Sequence, residues 1–256
     1  MENQGNENGR QGGFNIICGR NPVMEAVKSG KSIDRLLVSH GAASGAVTAI
    51  IAKCKAKGIP VKEVSPMKLD MMCYGANHQG VAVTFAEREY CTLEDILAVS
   101  HKKGTEPFIL VCDCIEDPHN LGAIIRTAEC CAVDGIVIPE RRSATLNATV
   151  AKSASGALEY MPVARVKNIA NTVETLKKNG IWVFAADMDG GDFKTFDFTV
   201  PCAIVIGNEG KGIGPLVRNR CDGIVSIPMF GKINSLNASV AAGVLMYEVA
   251  VSRNKQ

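Results

Sequence analysis

Three short segments hold the residues whose types and spacing could do chemistry. The first, residues 113–139 (DCIEDPHNLGAIIRTAECCAVDGIVIP), reads as strand, loop, helix and strand. Asn120 stands where a helix N-cap belongs, because Leu121, Ile124, Ile125 and Ala128 follow at helical spacing. Arg126 interrupts that apolar helix. It either snorkels to the surface or stands ready for a phosphate near the carboxyl ends of parallel strands. The second segment, AIVIGNEGKGIG (203–214), runs from an apolar strand into a glycine-rich loop that lets backbone N–H groups approach a ligand. It lacks the Gly-x-x-x-x-Gly-Lys-Ser/Thr phosphate loop and the Gly-x-Gly-x-x-Gly dinucleotide fingerprint. Glu209, a carboxylate among glycines, is either a turn residue or a chemical group. The third, IPMFGKINSLNASVAAGVLMYEVA (227–250), places Ser235 and Asn237 before a helix of small residues. Both could be simple caps, and the small residues suit either a very close helix contact or an ordinary core.

Parallel strands and helices are what would position these groups. From residue 107 the pattern is α/β. Strands are expected at 108–115, 135–139, 181–186, 202–207 and 223–228, and helices near 121–132, 146–157, 168–179, 215–220 and 236–251. The strands are continuous apolar runs, which favours a mainly parallel sheet covered on both faces. Asn168 and Gly180 are expected to cap and end one helix. A smaller α/β unit is expected at 14–89. Asn21 would cap a helix with Pro22 at its first position, and strands would lie at 33–39, 61–64 and 81–85. A helix would span 47–57 and close at Gly58, and Ser65-Pro66 would open another. Residues 90–106, a short helical stretch (LEDILAVS) followed by the polar HKKGTEP, read as a linker, and the polar stretch 1–13 as a disordered tail.

Composition narrows the class. At about 150 residues per domain, 256 residues allow one large or two small domains. No apolar run reaches the roughly 18 residues of a membrane span, and no secretory apolar region opens the chain, so a cytoplasmic protein is expected. Ten scattered cysteines without a Cys-x-x-Cys pair read as buried thiols. His119 lacks partners at metal-ligand spacing, so no metal is expected. The net charge of +2 hides a division. Residues 14–89 carry ten Lys and Arg against six Asp and Glu, whereas 90–256 carry seventeen against eighteen. The basic excess of the small unit points to a polyanionic partner.

In their order and spacing the three segments resemble the motifs of the SpoU family of RNA ribose 2′-O-methyltransferases, of the SPOUT class. DPHNLGAIIRTA matches the first motif, IVIGNEGKGI the second and IPMFGKINSLNASVAAGVLMYE the third. GRNPVMEAV and HQGVAVTF are similar to the family's L30e-like substrate-binding domain. The nearest subgroup resembles enzymes that methylate a guanosine ribose of 23S rRNA. The alternatives are tRNA guanosine 2′-O-methylation and a non-catalytic RNA-binding protein of ribosome assembly.

The resemblance implies a catalytic domain at 107–256 with a deep trefoil knot, an exception to unknotted topology. It implies a homodimer that needs neither metal nor membrane. It also implies S-adenosyl-L-methionine cradled at Gly207, Ile227 and Leu236, with Arg126 activating the hydroxyl. Asn120, Glu209, Ser235 and Asn237 would position the ribose and fix Arg126. A guanidinium is a poor base, so orienting a phosphate and stabilising an alkoxide is an equally physical role for Arg126. Removing residues 1–90 is expected to weaken RNA binding, measured by filter retention, and to leave S-adenosyl-L-methionine binding unchanged.

Overall fold

The computed structural model describes residues 16–29, 33–42, 44–85 and 88–254. The tail expected at 1–13 lies outside them. The chain divides into two units, Met1–Ala86 and Glu87–Gln256.

In the first unit β1 (Ile16–Cys18), α1 (Arg20–Lys28), β2 (Ile33–Ser39), α2 (Gly45–Ala56), β3 (Val61–Val64), α3 (Pro66–Met72) and β4 (Val81–Phe85) follow in order. The sheet order is β1-β4-β2-β3, with β2 and β3 parallel and β4 antiparallel to both its neighbours. Side-chain alternation sorts the two faces. Leu36, Val38, Val81 and Val83 pack with Val23, Val27, Val47 and Ile50 of α1 and α2, while Leu37 and Ala82 pack with Leu69 and Cys73. Gly58, at φ +71°, follows α2 as expected. The start of α1 differs from expectation. Its N-cap is Gly19 and not Asn21, at a φ of +95° that favours glycine. The exposed amide of Arg20 is satisfied instead by Gln79 Oε1 at 3.1 Å.

The second unit comprises α4 (Leu93–Lys103), β5 (Phe108–Asp113), α5 (Pro118–Cys130), β6 (Gly135–Pro139), α6 (Ala148–Ala154), β7 (Val163–Val166), α7 (Ile169–Lys178), β8 (Trp182–Asp192), β9 (Cys202–Gly207), α8 (Pro215–Arg220), β10 (Gly223–Ser226) and α9 (Ala238–Arg253). Its six strands, in the order β10-β8-β9-β5-β6-β7, are all parallel. The two central strands β5 and β9 are buried almost throughout, as their unbroken apolar runs require. Asn168 caps α7 and Gly180 follows it at φ +75°.

The expected linker at 90–106 belongs to this unit. Thr92 and Asp95 form a reciprocal capping box, and Leu93 and Ile96 join the core of Ile109, Val111, Val137 and Val173. Cys91 bridges to Ala164, and Lys103 pairs with buried Asp134 at 2.8 Å. The polar stretch read as loose chain includes the cationic last turn of α4, where His101, Lys102 and Lys103 face the negative end of the helix dipole. A truncation that separates the units therefore falls before Arg88, whose guanidinium reaches Glu159.

Two close backbone approaches mark this unit, one between β8 and β10 and one closing the loop after β9. A Cβ on Gly190 would stand 2.6 Å from the carbonyl carbon of Ile224, and one on Gly207 would stand 2.3 Å from that of Gly212. The partner register shows the first approach directly. Ile224 pairs with Ala185 but Val225 pairs with Gly191, so β8 makes an excursion at 186–190 while β10 advances one residue. The first is the kind of close pass a threaded chain end requires. Beyond them α9 packs against α5 and β9, and its Arg253 donates to the carbonyls of Glu106, Pro107, Phe198 and Val200. No helix among the described residues is long and apolar enough to cross a membrane.

Gly122 marks the contact between α5 and α6, where a Cβ would meet Ser153 Cβ at 2.4 Å and the carbonyl of Val150 at 2.8 Å. Helix propensity alone favours alanine over glycine by about 1 kcal/mol. Gly122→Ala is expected to destabilise by about 1–3 kcal/mol instead, because Ser153 Cβ and the Val150 carbonyl are held by the α6 backbone and cannot swing away. The urea midpoint measures which sign prevails.

Candidate active site

The carboxyl ends of β5 and β9 support the candidate site, as expected for ligand sites of parallel α/β sheets. At the end of β5 the buried Asp113 accepts the N–H of Gly214 through Oδ2 at 2.8 Å. Cys114 follows in the left-handed region at φ +63°. Burial, with Asp113 second, pushes the Cys114 thiol up to about 11. It is therefore no thiolate nucleophile at neutral pH.

After β9 the loop 208–212 closes on itself. Asn208 N donates to Gly212 O at 3.1 Å and Gly212 N returns to Asn208 O at 2.8 Å. The Asn208 side chain fastens the rest. Its Oδ1 accepts the N–H groups of Gly210 and Lys211, and its Nδ2 donates to the carbonyl of Cys114 at 3.0 Å. Sequence reasoning passed over both Asn208 and Asp113. The signal for Asn208 was present, since an Asn two residues before a Gly at a strand end is an Asx-turn pattern.

The three sequence segments meet at Glu209. Its Oε1 accepts Asn120 Nδ2 at 2.8 Å, Asn237 Nδ2, and the N–H of Ala238 at 3.4 Å. Asn237 Nδ2 also donates to Asn120 Oδ1 at 3.0 Å. Asn120 is free to do this because it is not the N-cap of α5. Asp117 is the cap and accepts His119 N at 2.8 Å, and Pro118 takes the first helical position. Asn120 thus lies inside the first turn, buried. Asn237 does cap its helix. Its Oδ1 accepts Ser239 N at 2.9 Å and Val240 N at 3.4 Å while its amide faces Glu209.

Beside this junction is a cavity of about 500 Å3. Gly207, Ile227 and Leu236 all line it, as do Glu209 and Ser235. Ala186, Ala238 and Ala241 keep parts of the wall small. Asp187, also on the wall, is held by Arg218 at 3.3 Å, which ties the excursion of β8 to α8.

Arg126 is not brought to this group within the chain. It is six residues beyond Asn120, roughly 9 Å along α5 and about 120° around it. It is exposed, and its Nη1 makes a long hydrogen bond of 3.4 Å to Ser155 Oγ. The polar atoms of Asn120, Glu209 and Asn237 bond one another, so the expected fixing of Arg126 by them is not seen here. Among the described residues no group of three or more His, Cys, Asp or Glu side chains could hold a metal ion.

Comparison with known proteins places the chain in a family. Residues 107–247 match the SpoU rRNA Methylase family, and residues 16–91 match the RNA 2′-O ribose methyltransferase substrate binding family. A Bacillus subtilis (strain 168) relative assigned to the TrmH family of tRNA/rRNA methyltransferases is 46% identical over 239 residues, spanning 93% of this chain and 96% of its own. The SpoU methyltransferase AviRb of Streptomyces viridochromogenes, solved in complex with AdoMet, superposes with a TM-score of 0.59 at 26% identity, over 94% of this chain and 91% of its own. An AdoMet-bound rRNA methyltransferase of Sinorhizobium meliloti gives 0.57 at 26% identity, over 92% and 86%. The chain belongs to the SpoU family of RNA methyltransferases, with a catalytic unit of the SPOUT fold.

Proposed function

We propose that this chain transfers the methyl group of S-adenosyl-L-methionine to the ribose 2′-hydroxyl of an rRNA nucleotide, a guanosine of 23S rRNA. The observation that carries the reading is the meeting of all three motifs at Glu209 beside one cavity. The cavity suits the cofactor. Its volume lies within the roughly 300–1,000 Å3 range of small-molecule sites. Its walls combine small apolar side chains, a closed glycine loop and the carboxylates of Asp187 and Glu209, a fit for an adenosine joined to a cation. Gly207, Ile227 and Leu236 would hold it largely through backbone groups. When bound, the cofactor supplies a methyl group on a sulfonium, which needs no metal to make it electrophilic.

The residues of the chain supply the rest. A 2′-hydroxyl is a weak nucleophile and loses its proton as it attacks. Ser235, on the cavity wall, and Glu209, pinned by two amides, position the ribose. Asn120 and Asn237 act through Glu209. Arg126 orients the adjoining phosphate and stabilises the developing alkoxide.

Because Arg126 lies apart from the cavity of its own chain, it serves the cavity of a second copy. The surface for that copy is on α9. Val240, Val244, Tyr247 and Val251 recur at helical spacing and are 36–53% exposed. The α5 helix, which carries Arg126, packs beside α9. The basic first unit binds the folded RNA through phosphates and shape, and its match to a substrate-binding family favours this division of labour.

Incubation with radiolabelled S-adenosyl-L-methionine and transcribed rRNA, followed by mapping of ribose methylation, tests the reading. Absence of transfer to any rRNA or tRNA would overturn it, and transfer to tRNA alone would move the substrate. Arg126→Ala is expected to lower kcat by about 100- to 1,000-fold while S-adenosyl-L-methionine titrates as in the parent protein. A mixed dimer of Arg126→Ala with Glu209→Ala should recover activity that neither variant shows alone. A mixture as inactive as its components would place both groups in one chain's site.

A further inference from the structure

We infer that Phe230 is the stacking platform for the base of the nucleotide whose ribose enters the cavity, an inference that rests on the methyl-transfer reading above. Between β10 and α9 the chain runs along the cavity, with Ile227 and Met229 on the wall before residue 230 and Asn234, Ser235 and Leu236 on it after residue 233. Residues 230–233 are not on the wall but connect two stretches of it, which places them at its rim. There Phe230 is 98% exposed, more than any other large apolar side chain among the described residues. The rings of Phe184, Phe196 and Phe198, by contrast, pack against one another inside the unit. A phenyl ring left in water does nothing for the fold.

What the ring can bind follows from where it stands. In single-stranded loops the target nucleotide can be splayed out so that its ribose enters a recess, and the base then loses the neighbours that held it. An aromatic face at the rim replaces them. It does so for any base, because every base offers a π-face. Cations stand close by in the chain. Lys232 shares the rim segment and Lys211 lines the cavity, so the aromatic is interleaved with positive charge as in single-strand RNA sites. The surface suited to a second copy of the chain is the stripe on α9, a different element.

The experiment compares Phe230→Ala, Phe230→Leu and Phe230→Trp with the parent chain, using tritiated S-adenosyl-L-methionine with transcribed 23S rRNA and total tRNA. The Ala and Leu variants should lose about 10- to 100-fold in kcat/KM for RNA, and Trp should keep it. S-adenosyl-L-methionine affinity by calorimetry and oligomeric state by light scattering should not change. Added RNA should quench the fluorescence of the Trp variant more than that of the parent, whose only tryptophan is Trp182. An Ala variant with parental kcat/KM overturns the inference, as does a Leu variant matching Trp. A parallel loss of S-adenosyl-L-methionine affinity would make Phe230 part of the cofactor wall. A change in oligomeric state would make it a contact between copies. Either result overturns the stacking role while leaving the activity standing. A parent chain inactive on every RNA overturns the activity and the inference together.

Discussion

One carboxylate oxygen ties together three segments of the second unit that lie far apart in the chain. Glu209 Oε1 accepts hydrogen bonds from residues 89 positions before it and 28 and 29 positions after it. Hydrogen bonds to an ionised acceptor are roughly twice as strong as neutral ones, and buried Asn120 would be left without its acceptor if the carboxylate were removed. The same oxygen thus fixes three things at once: the first turn of α5, the turn after β9 and the entry to α9. Two of these, the turn after β9 and the entry to α9, line the cavity together with residues 186–189, Val225, Ile227 and Met229, so the junction fixes one side of its wall.

The junction is possible only because the backbone can pass very close to itself. Gly207 and Gly190 stand where a methyl group would collide with main chain, not with a side chain that could swing away. Parallel strands deliver β5 and β9 to the same edge, in register from Phe108 with Cys202 to Asp113 with Gly207. The threaded end is then secured at its far side, where the Arg253 guanidinium satisfies four carbonyls and lies over the Phe108 ring. Fixed at both ends, α9 can carry small residues on its cavity side and valines outward without depending on either for its position.

Much of this was legible in the chain, for reasons that also explain what was not. Continuous apolar runs fixed the type of β5, β6 and β9, because a strand buried on both faces has no alternative composition. Gly58, Gly180 and Asn168 marked helix ends through local conformational chemistry. The failures arose where a local preference had a competitor. Asn120 is a good cap, but Pro118 is a better first helical residue, so the cap moved to Asp117 and Asn120 was released for tertiary work. Four residues of β7 containing Arg165 were too few to show a period. The short helical stretch in 90–106 read as part of a linker because cations follow it and its buried face is only Leu93, Ile96 and Ser100. The bond from Asn120 to Glu209 spans 89 residues, and no local pattern encodes it.

Charge explains why the functions are divided as they are. A cavity for a sulfonium works against a strongly positive lining, and this one carries Asp187, Asp189 and Glu209 on its wall. RNA, the proposed substrate, is a dense polyanion, so those same carboxylates repel what the site is to act upon. Moving the basic excess into residues 14–89 resolves part of the conflict, since phosphate attraction can act without making the cavity cationic. It leaves the last few ångströms, where the target ribose approaches carboxylates. Stacking is the attraction that does not depend on sign, and a bare phenyl ring on the rim supplies it where added lysines would weaken the hold on a cationic cofactor.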